Sequence, residues 1–190
     1  MTDQFRQFIS QSVQLQEDEY LSLEGLLHED VIHKKEHLIK ASEICNEIVF
    51  FSEGYFRFYH YATDGTEITS DFYFAPGFVT SYTSLITGNP SKVYVQAMED
   101  MKILILRKSD LQNLYSKYHS IDRLGRLLAE QVAINSEKHL FSLLNQTADE
   151  RYKNLLDSYP QYIQKIPLQY IASYLGIKQE TLSRVRKNIK

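Results

Sequence analysis

The residues best placed to do chemistry lie in the last 25 positions of the 190-residue chain, IPLQYIASYLGIKQETLSRVRKNIK. Pro167 suits the first turn of a helix. Ile171 and Leu175 fall on one face of it with the small Ala172 beside them. Gly176 interrupts the run where a sharp turn needs a positive φ. Ile177 follows, and Leu182 and Val185 then point inward from a second amphipathic segment. Lys178, Gln179, Glu180, Thr181, Ser183 and Arg184 are left outward. Two short helices joined at a steep angle by a glycine turn form the helix-turn-helix layout. A bare helical hairpin would not need a small residue and a glycine four positions apart. The second helix of such a pair enters the DNA major groove by its N-terminal half. Arg184 can donate two hydrogen bonds to guanine O6 and N7, and Glu180 can accept from cytosine N4. At a spacing of four they share one helix face. Gln169, Lys178, Thr181 and Ser183 are of types that hold phosphates, and Lys187, with Arg186 and Lys190, adds charge near the groove. The plainer alternative is a solvated Glu180–Arg184 pair on an exposed helix.

Charge distribution agrees with a polyanionic partner at this end. The net charge is −3. Residues 148–190 nevertheless carry eight Lys/Arg against four Asp/Glu, while residues 1–147 are acidic. With 43% hydrophobic and 24% charged residues the composition is that of a globular protein. No apolar run approaches the roughly 18–20 residues that span a bilayer. The N-terminus MTDQFRQFIS lacks the basic start and apolar stretch of a signal peptide. The single cysteine, Cys45, excludes an internal disulfide and any multi-cysteine zinc or iron–sulfur site. A reducing cytoplasm is the expected compartment.

The elements that must position the C-terminal site follow from periodicity. Phe5, Phe8, Ile9 and Val13 make an amphipathic stripe over residues 3–15. From about residue 28 the texture becomes short apolar or alternating runs: Val31–Ile32, Leu38–Ile39, Ile48–Phe51, Tyr55–Tyr61, Ile68–Phe74, Val93–Ala97 and Ile103–Leu106. Turn signals separate them, and Thr63-Asp64-Gly65-Thr66 between the fourth and fifth marks a tight hairpin. In the fourth run Tyr55, Arg57, Tyr59 and Tyr61 alternate with Phe56, Phe58 and His60. A barrel, roll or sandwich over about 28–107 is expected. At Ser109 the period switches to helical, with a short helix to about Tyr118. Ser120 then caps a long one from Ile121 to about Asn145. Its apolar face outlasts what a small roll covers, so Ile121, Leu124, Leu128 and Val132 are expected in a dimer seam. Thr147-Ala-Asp-Glu150 is a capping box that opens a helix to about Asp157, and Tyr159-Pro160 ends it. The expected class is α+β. Residues 1–119 form an antiparallel β-roll with flanking short helices, 120–146 the long dimerisation helix, and 147–190 the helix-turn-helix domain.

A roll, a long helix and a C-terminal helix-turn-helix in this order resemble the Crp/Fnr family of bacterial transcription regulators. The resemblance spans nearly the whole chain. It is strongest in IASYLGIKQETLSRVRK and in FYFAPGFVTSYTSLITGNPSKVYVQAMEDMKILIL, and Ser136-Glu137-Lys138 on the long helix also fits. It implies a homodimer paired through the long helix, a palindromic double-stranded DNA operator, and RNA polymerase as a further partner. Family base reading falls on Arg-Glu-Thr-x-x-Arg. Here Gln179-Glu180-Thr181-Leu182-Ser183-Arg184 keeps Glu180 and Arg184 and replaces the first arginine by Gln179. In cyclic-nucleotide-binding members a Gly-Glu pair holds the ribose and an Arg-Ser/Thr-Ala cluster holds the phosphate. The matching positions are Gly77-Phe78 and Ser91-Lys92-Val93. A phosphate needs a fixed donor array or positive charge, and Lys92 is the only nearby substitute. Cyclic AMP is therefore not expected as effector. Gly77, Ser81, Ser84, Ser91, Lys92, Asn135 and Ser136 are the expected lining of a small polar pocket for any other. The chain ends at Lys190, directly after the recognition helix, so no β-hairpin wing is expected.

Other functions find less support. His33-x-x-x-His37 would present two imidazoles on a helix, but Val31–His33 and His37–Ile39 read as strands around a Lys34-Lys35-Glu36 turn. His28 lies near that pair, while His60, His119 and His139 are scattered, so no metal site and no cupin-type centre is expected. No serine sits in a Gly-x-Ser-x-Gly elbow. Neither enzymatic activity nor a cofactor is expected. The competing reading is a small-molecule-sensing or protein-docking roll in which DNA binding is secondary or lost.

Overall fold

The computed structural model describes residues 1–188, and of Gln161 and Tyr162 only the backbone. Two compact units are present. The first comprises Met1–Phe58 and Phe72–Glu130, and the second Tyr59–Asp71 together with the chain from Gln131 onward.

The first unit is a two-sheet roll capped by helices. It begins with α1 (Thr2–Ser10) and α2 (Glu17–Glu24). Strands β1 (His28–Ile32), β2 (His37–Ile39), β3 (Glu47–Phe51), β4 (Tyr55–Tyr61), β5 (Glu67–Phe74) and β6 (Gly77–Val79) follow. Next come α3 (Tyr82–Thr87), β7 (Tyr94–Ala97) and β8 (Met101–Arg107), then α4 (Lys108–Lys117) and the start of α5 (His119–Asn145). One sheet runs β1-β8-β3-β6 and the other β2-β7-β4-β5. The pairs β1–β8, β2–β7, β3–β6 and β3–β8 are antiparallel. Period-2 alternation divides β3 between two cores. Val49 and Phe51 face the inter-sheet core with Phe56, Val95, Met101 and Ile103. Phe50 faces the helices, where Phe5, Ile9, Leu104, Leu106, Leu114, Ile121 and Leu124 bury it.

Several expectations are corrected by this packing. The N-terminal helix stops at Ser10, and Val13 is buried from the loop beyond it. The helix α2 carries no periodic stripe. A box of Gln16 and Glu19 caps it, and it is held to α1 by Arg6, which bonds Glu17 and Glu24. At the β4–β5 tip only Gly65 is left-handed (φ 82°), and Asp64 instead accepts from the Thr66 N–H. Ser120 lies inside α5 and donates to Glu19 rather than capping the helix. Ile121 and Leu124 are 1% and 4% exposed in their own unit's core, so they are not available as a seam. Leu128 is half-buried against that core and Val132 is half-buried. The core leaves an apolar cavity of about 30 Å³ lined by Phe5, Phe78, Tyr115 and Leu128 among others.

The second unit contains the β4–β5 tip, the rest of α5, α6 (Ala148–Ser158), α7 (Pro160–Ile163), α8 (Leu168–Tyr174) and α9 (Gln179–Asn188). Pro160 ends α6 as expected and also opens the short α7, for which the residue pattern offers no signal.

Candidate nucleic-acid interface

The helices α8 and α9 meet across a Schellman turn. The Ile177 N–H donates to Ala172 O at 3.0 Å and the Gly176 N–H to Ser173 O at 3.0 Å, with Gly176 at φ 66°. A side chain at position 176 would be strained at that φ and would also press on Leu143 Cδ2. Pro167 precedes α8 as its N-cap residue rather than sitting in its first turn. Ile171, Ala172, Leu175, Leu182 and Val185 are all buried, and Tyr152 and Leu155 of α6 add to the core of this unit. Lys178 O accepts the first backbone bond of α9, from the Leu182 N–H.

This inward set leaves the expected DNA-facing residues outside. Gln169, Lys178, Gln179, Glu180, Ser183, Arg184 and Lys187 are exposed, and Thr181 is half-buried. Arg184 and Thr181 share one face, the guanidinium 3.4 Å from Thr181 Oγ1. Glu180 and Arg184 are both exposed on α9. Lys190 lies outside the described residues.

Behind this surface, α5 meets α8. His139 stacks on Tyr174 with ring centroids 4.4 Å apart and planes at 14°. Arg151 donates from Nη1 to Gln146 O at 2.6 Å and from Nε to Leu175 O at 3.0 Å. The Thr147–Glu150 capping box forms as expected, and its bonds hold the Glu150 carboxyl below its usual range. From the hairpin tip, the Thr69 N–H donates to Ser173 Oγ at 2.8 Å. The His139–Tyr174 stack, the Arg151 bridge and the Thr69–Ser173 bond have no motif in the sequence. The nearest signal is helical phase, which sets His139 on the same stripe as Ile121 and Leu128.

Burial, and then the Arg151 charge, hold His139 below its ordinary pKa. Above about pH 7 the imidazole is neutral in both states. As pH falls through its unfolded value near 6.5, the unfolded chain takes up the proton first, and stability drops. His139→Gln is expected to flatten thermal stability between about pH 7 and pH 5 relative to the unaltered chain. Equal slopes in melting curves would show that His139 is not the responsible group.

The expected effector residues divide between the units. Ser81 Oγ and Ser91 Oγ bond each other at 2.8 Å, and Ser91 also donates to Val93 O at 2.8 Å. Ser84 donates to Asn89 O at 2.6 Å and accepts from the Cys45 N–H at 2.9 Å. These buried hydroxyls therefore hold the α3 loop together rather than lining a polar pocket. Gly77 is half-buried, and Lys92 is exposed. Asn135 and Ser136 belong to the second unit, where they bond Gln131 and Val132 O along α5. Phe78, which the resemblance sets opposite the family's ribose carboxylate, is turned among Phe5, Phe8 and Phe50. Among the described residues no group of three His, Cys, Asp or Glu is placed to hold a metal.

Residues 29–118 match the cyclic nucleotide-binding domain family. The chain has the Crp/Fnr regulator fold. FixK2 from Bradyrhizobium japonicum superimposes with a TM-score of 0.74 at 19% identity, over 86% of this chain and 84% of that one. The c-di-GMP responsive global regulator CLP of Xanthomonas campestris gives 0.71 at 13%, over 92% and 91%. A Crp/Fnr-family transcriptional regulator from Eubacterium rectale gives 0.70 at 16%, over 92% and 83%. No curated protein sequence matches. Within the matched residues the Ser81, Ser84 and Ser91 hydroxyls are all internally bonded. Among the described residues no helix of this Crp/Fnr fold is long and apolar enough to cross a membrane.

Proposed function

We propose that the chain is a sequence-specific DNA-binding transcriptional regulator of the Crp/Fnr type. It acts in the cytoplasm as a homodimer on a palindromic site, and its output passes through RNA polymerase. The observation that carries this reading is the α8–α9 pair, whose buried set is apolar while Glu180 and Arg184 stand exposed on the second helix. Phosphate contacts from Gln169, Lys178, Thr181, Ser183 and Lys187 would set register, and Gln179, Glu180 and Arg184 would read bases.

The dimer seam is reassigned to the exposed side of α5. Ile134 and Phe141 lie seven residues apart and are 45% and 59% exposed, with Leu140 and Leu144 beside them at 57% and 74%. Seven-residue spacing of exposed apolar side chains on a helix roughly 40 Å long suits pairing with a second copy.

Control by cyclic AMP is not part of the reading. The ribose carboxylate is replaced by Phe78 and the phosphate-binding guanidinium by Ser91, whose hydroxyl is already bonded.

Selection from a random duplex DNA pool, with no ligand added, tests the reading. An enriched palindrome is the expected result, and a folded dimer that enriches nothing would overturn it. Arg184→Ala is expected to weaken the enriched site by about 10- to 100-fold, the range for a lost bidentate base contact, with the dimer mass unchanged. Unchanged affinity in anisotropy titrations would remove Arg184 from base reading.

A further inference from the structure

Arg151 touches the C-terminal ends of two helices. A helix C-terminus presents carbonyls without intrahelical partners and carries partial negative charge. Gln146 O lies one residue beyond the end of α5, and Leu175 is the C-cap of α8, directly before the left-handed Gly176. One half-buried guanidinium bonds both, from Nη1 and from Nε. A planar fork is suited to this because its donors diverge at fixed angles, whereas an ammonium is a single point. Beside the bridge, Ser142 Oγ and Asn154 Nδ2 donate to Gln146 Oε1. His139 stacks on Tyr174, and Leu143 lies against Gly176.

We propose that Arg151 is the positioning residue of the DNA-reading helix: by bridging Gln146 O and Leu175 O it fixes the turn before α9 on the end of the long helix. Resting on the DNA-binding reading above, it adds a side chain that touches no DNA and yet sets how α9 is presented. In a dimer the two α9 helices must reach successive major grooves together, so a loosened turn costs specific binding more than binding to unrelated duplex.

The test uses the full chain, the palindromic duplex enriched from the random pool, and an unrelated duplex at one salt concentration. Arg151→Gln is expected to weaken the palindrome roughly tenfold or more and the unrelated duplex by less than about twofold. The dimer mass and far-UV circular dichroism should be unchanged. The His139 imidazole, followed by NMR, should titrate at higher pH once the neighbouring charge is gone. Arg151→Lys keeps the charge but cannot span both carbonyls. Its His139 should titrate as in the unaltered chain while the palindrome still weakens. Should Arg151→Gln fail to fold, Arg151→Lys carries the test alone. Unaltered affinity in the folded variants, with Arg184→Ala still weakened, overturns the positioning role and leaves the DNA-reading assignment standing. A uniform loss on both duplexes overturns it as well. A chain that enriches no duplex overturns both.

Discussion

Replacing Ile134 and Phe141 together by aspartate is expected to give a folded monomer that binds the palindromic duplex roughly 100-fold or more weakly. Both side chains stand in solvent within one protomer, at 45% and 59% exposure, so charging them removes nothing from that protomer's own core. A surface change of this kind alters folding stability by about 0.5 kcal/mol or less. In a dimer the same positions would bring four carboxylates into one apolar seam, where burying unpaired charge opposes association. Losing the second protomer loses the second half-site, and linked binding of two sites is worth about 10²–10⁴ in affinity. Leu124→Asp provides the contrast. Leu124 is 4% exposed in the core with Phe5, Phe50 and Ile121, and a carboxylate there should unfold the first unit rather than split a dimer. Light scattering and circular dichroism separate the two outcomes. A dimeric Ile134→Asp/Phe141→Asp chain would place the seam elsewhere.

The contrast also shows where the residue pattern is informative. The long helix is legible in outline, because its apolar positions repeat over more than seven turns and the Thr147–Glu150 capping box follows it. Its two apolar stripes cannot be ranked from one sequence. Ile121, Leu124 and Leu128 are inward only because Phe5, Ile9 and Leu114 of α1 and α4 come to meet them, a tertiary fact with no local signature. The Gly176 turn is legible because a left-handed C′ residue, a small neighbour and five apolar anchors all bear on the same short segment. Arg151 is invisible by comparison. Its partners are backbone carbonyls, and any residue type supplies those. The types of Phe78 and Ser91, neither of them a carboxylate or a guanidinium, are legible in the sequence. That both are structural, with Phe78 among three phenyl rings and Ser91 tied to Ser81, is known only once the chain is folded.

Phe78→Glu, which places a carboxylate where the resemblance sets the ribose contact, is expected to destabilise the first unit by about 3 kcal/mol at neutral pH without creating cyclic AMP binding. Phe78 ring contacts to Phe5, Phe8 and Phe50 are at 6.1, 5.7 and 5.5 Å between centroids. Removing the ring forfeits those contacts, and the carboxylate that replaces it faces the same three rings with no donor among them. Phe78→Leu keeps an apolar side chain there and should cost less than about 1.5 kcal/mol. The glutamate deficit also has a direction in pH. Apolar surroundings raise the folded-state pKa of a carboxyl above its unfolded value near 4.3, so the folded chain binds the proton more readily. The deficit relative to the unaltered chain therefore narrows as pH falls toward 5 and widens above 7. Urea unfolding at pH 5 and pH 8 measures both magnitude and sign. A Phe78→Glu chain as stable as the unaltered one would mean that the position tolerates the family carboxylate. Calorimetric binding of cyclic AMP to that variant would mean that Phe78 alone had closed the nucleotide site, and that the bonded Ser81–Ser91 pair is no obstacle to a phosphate.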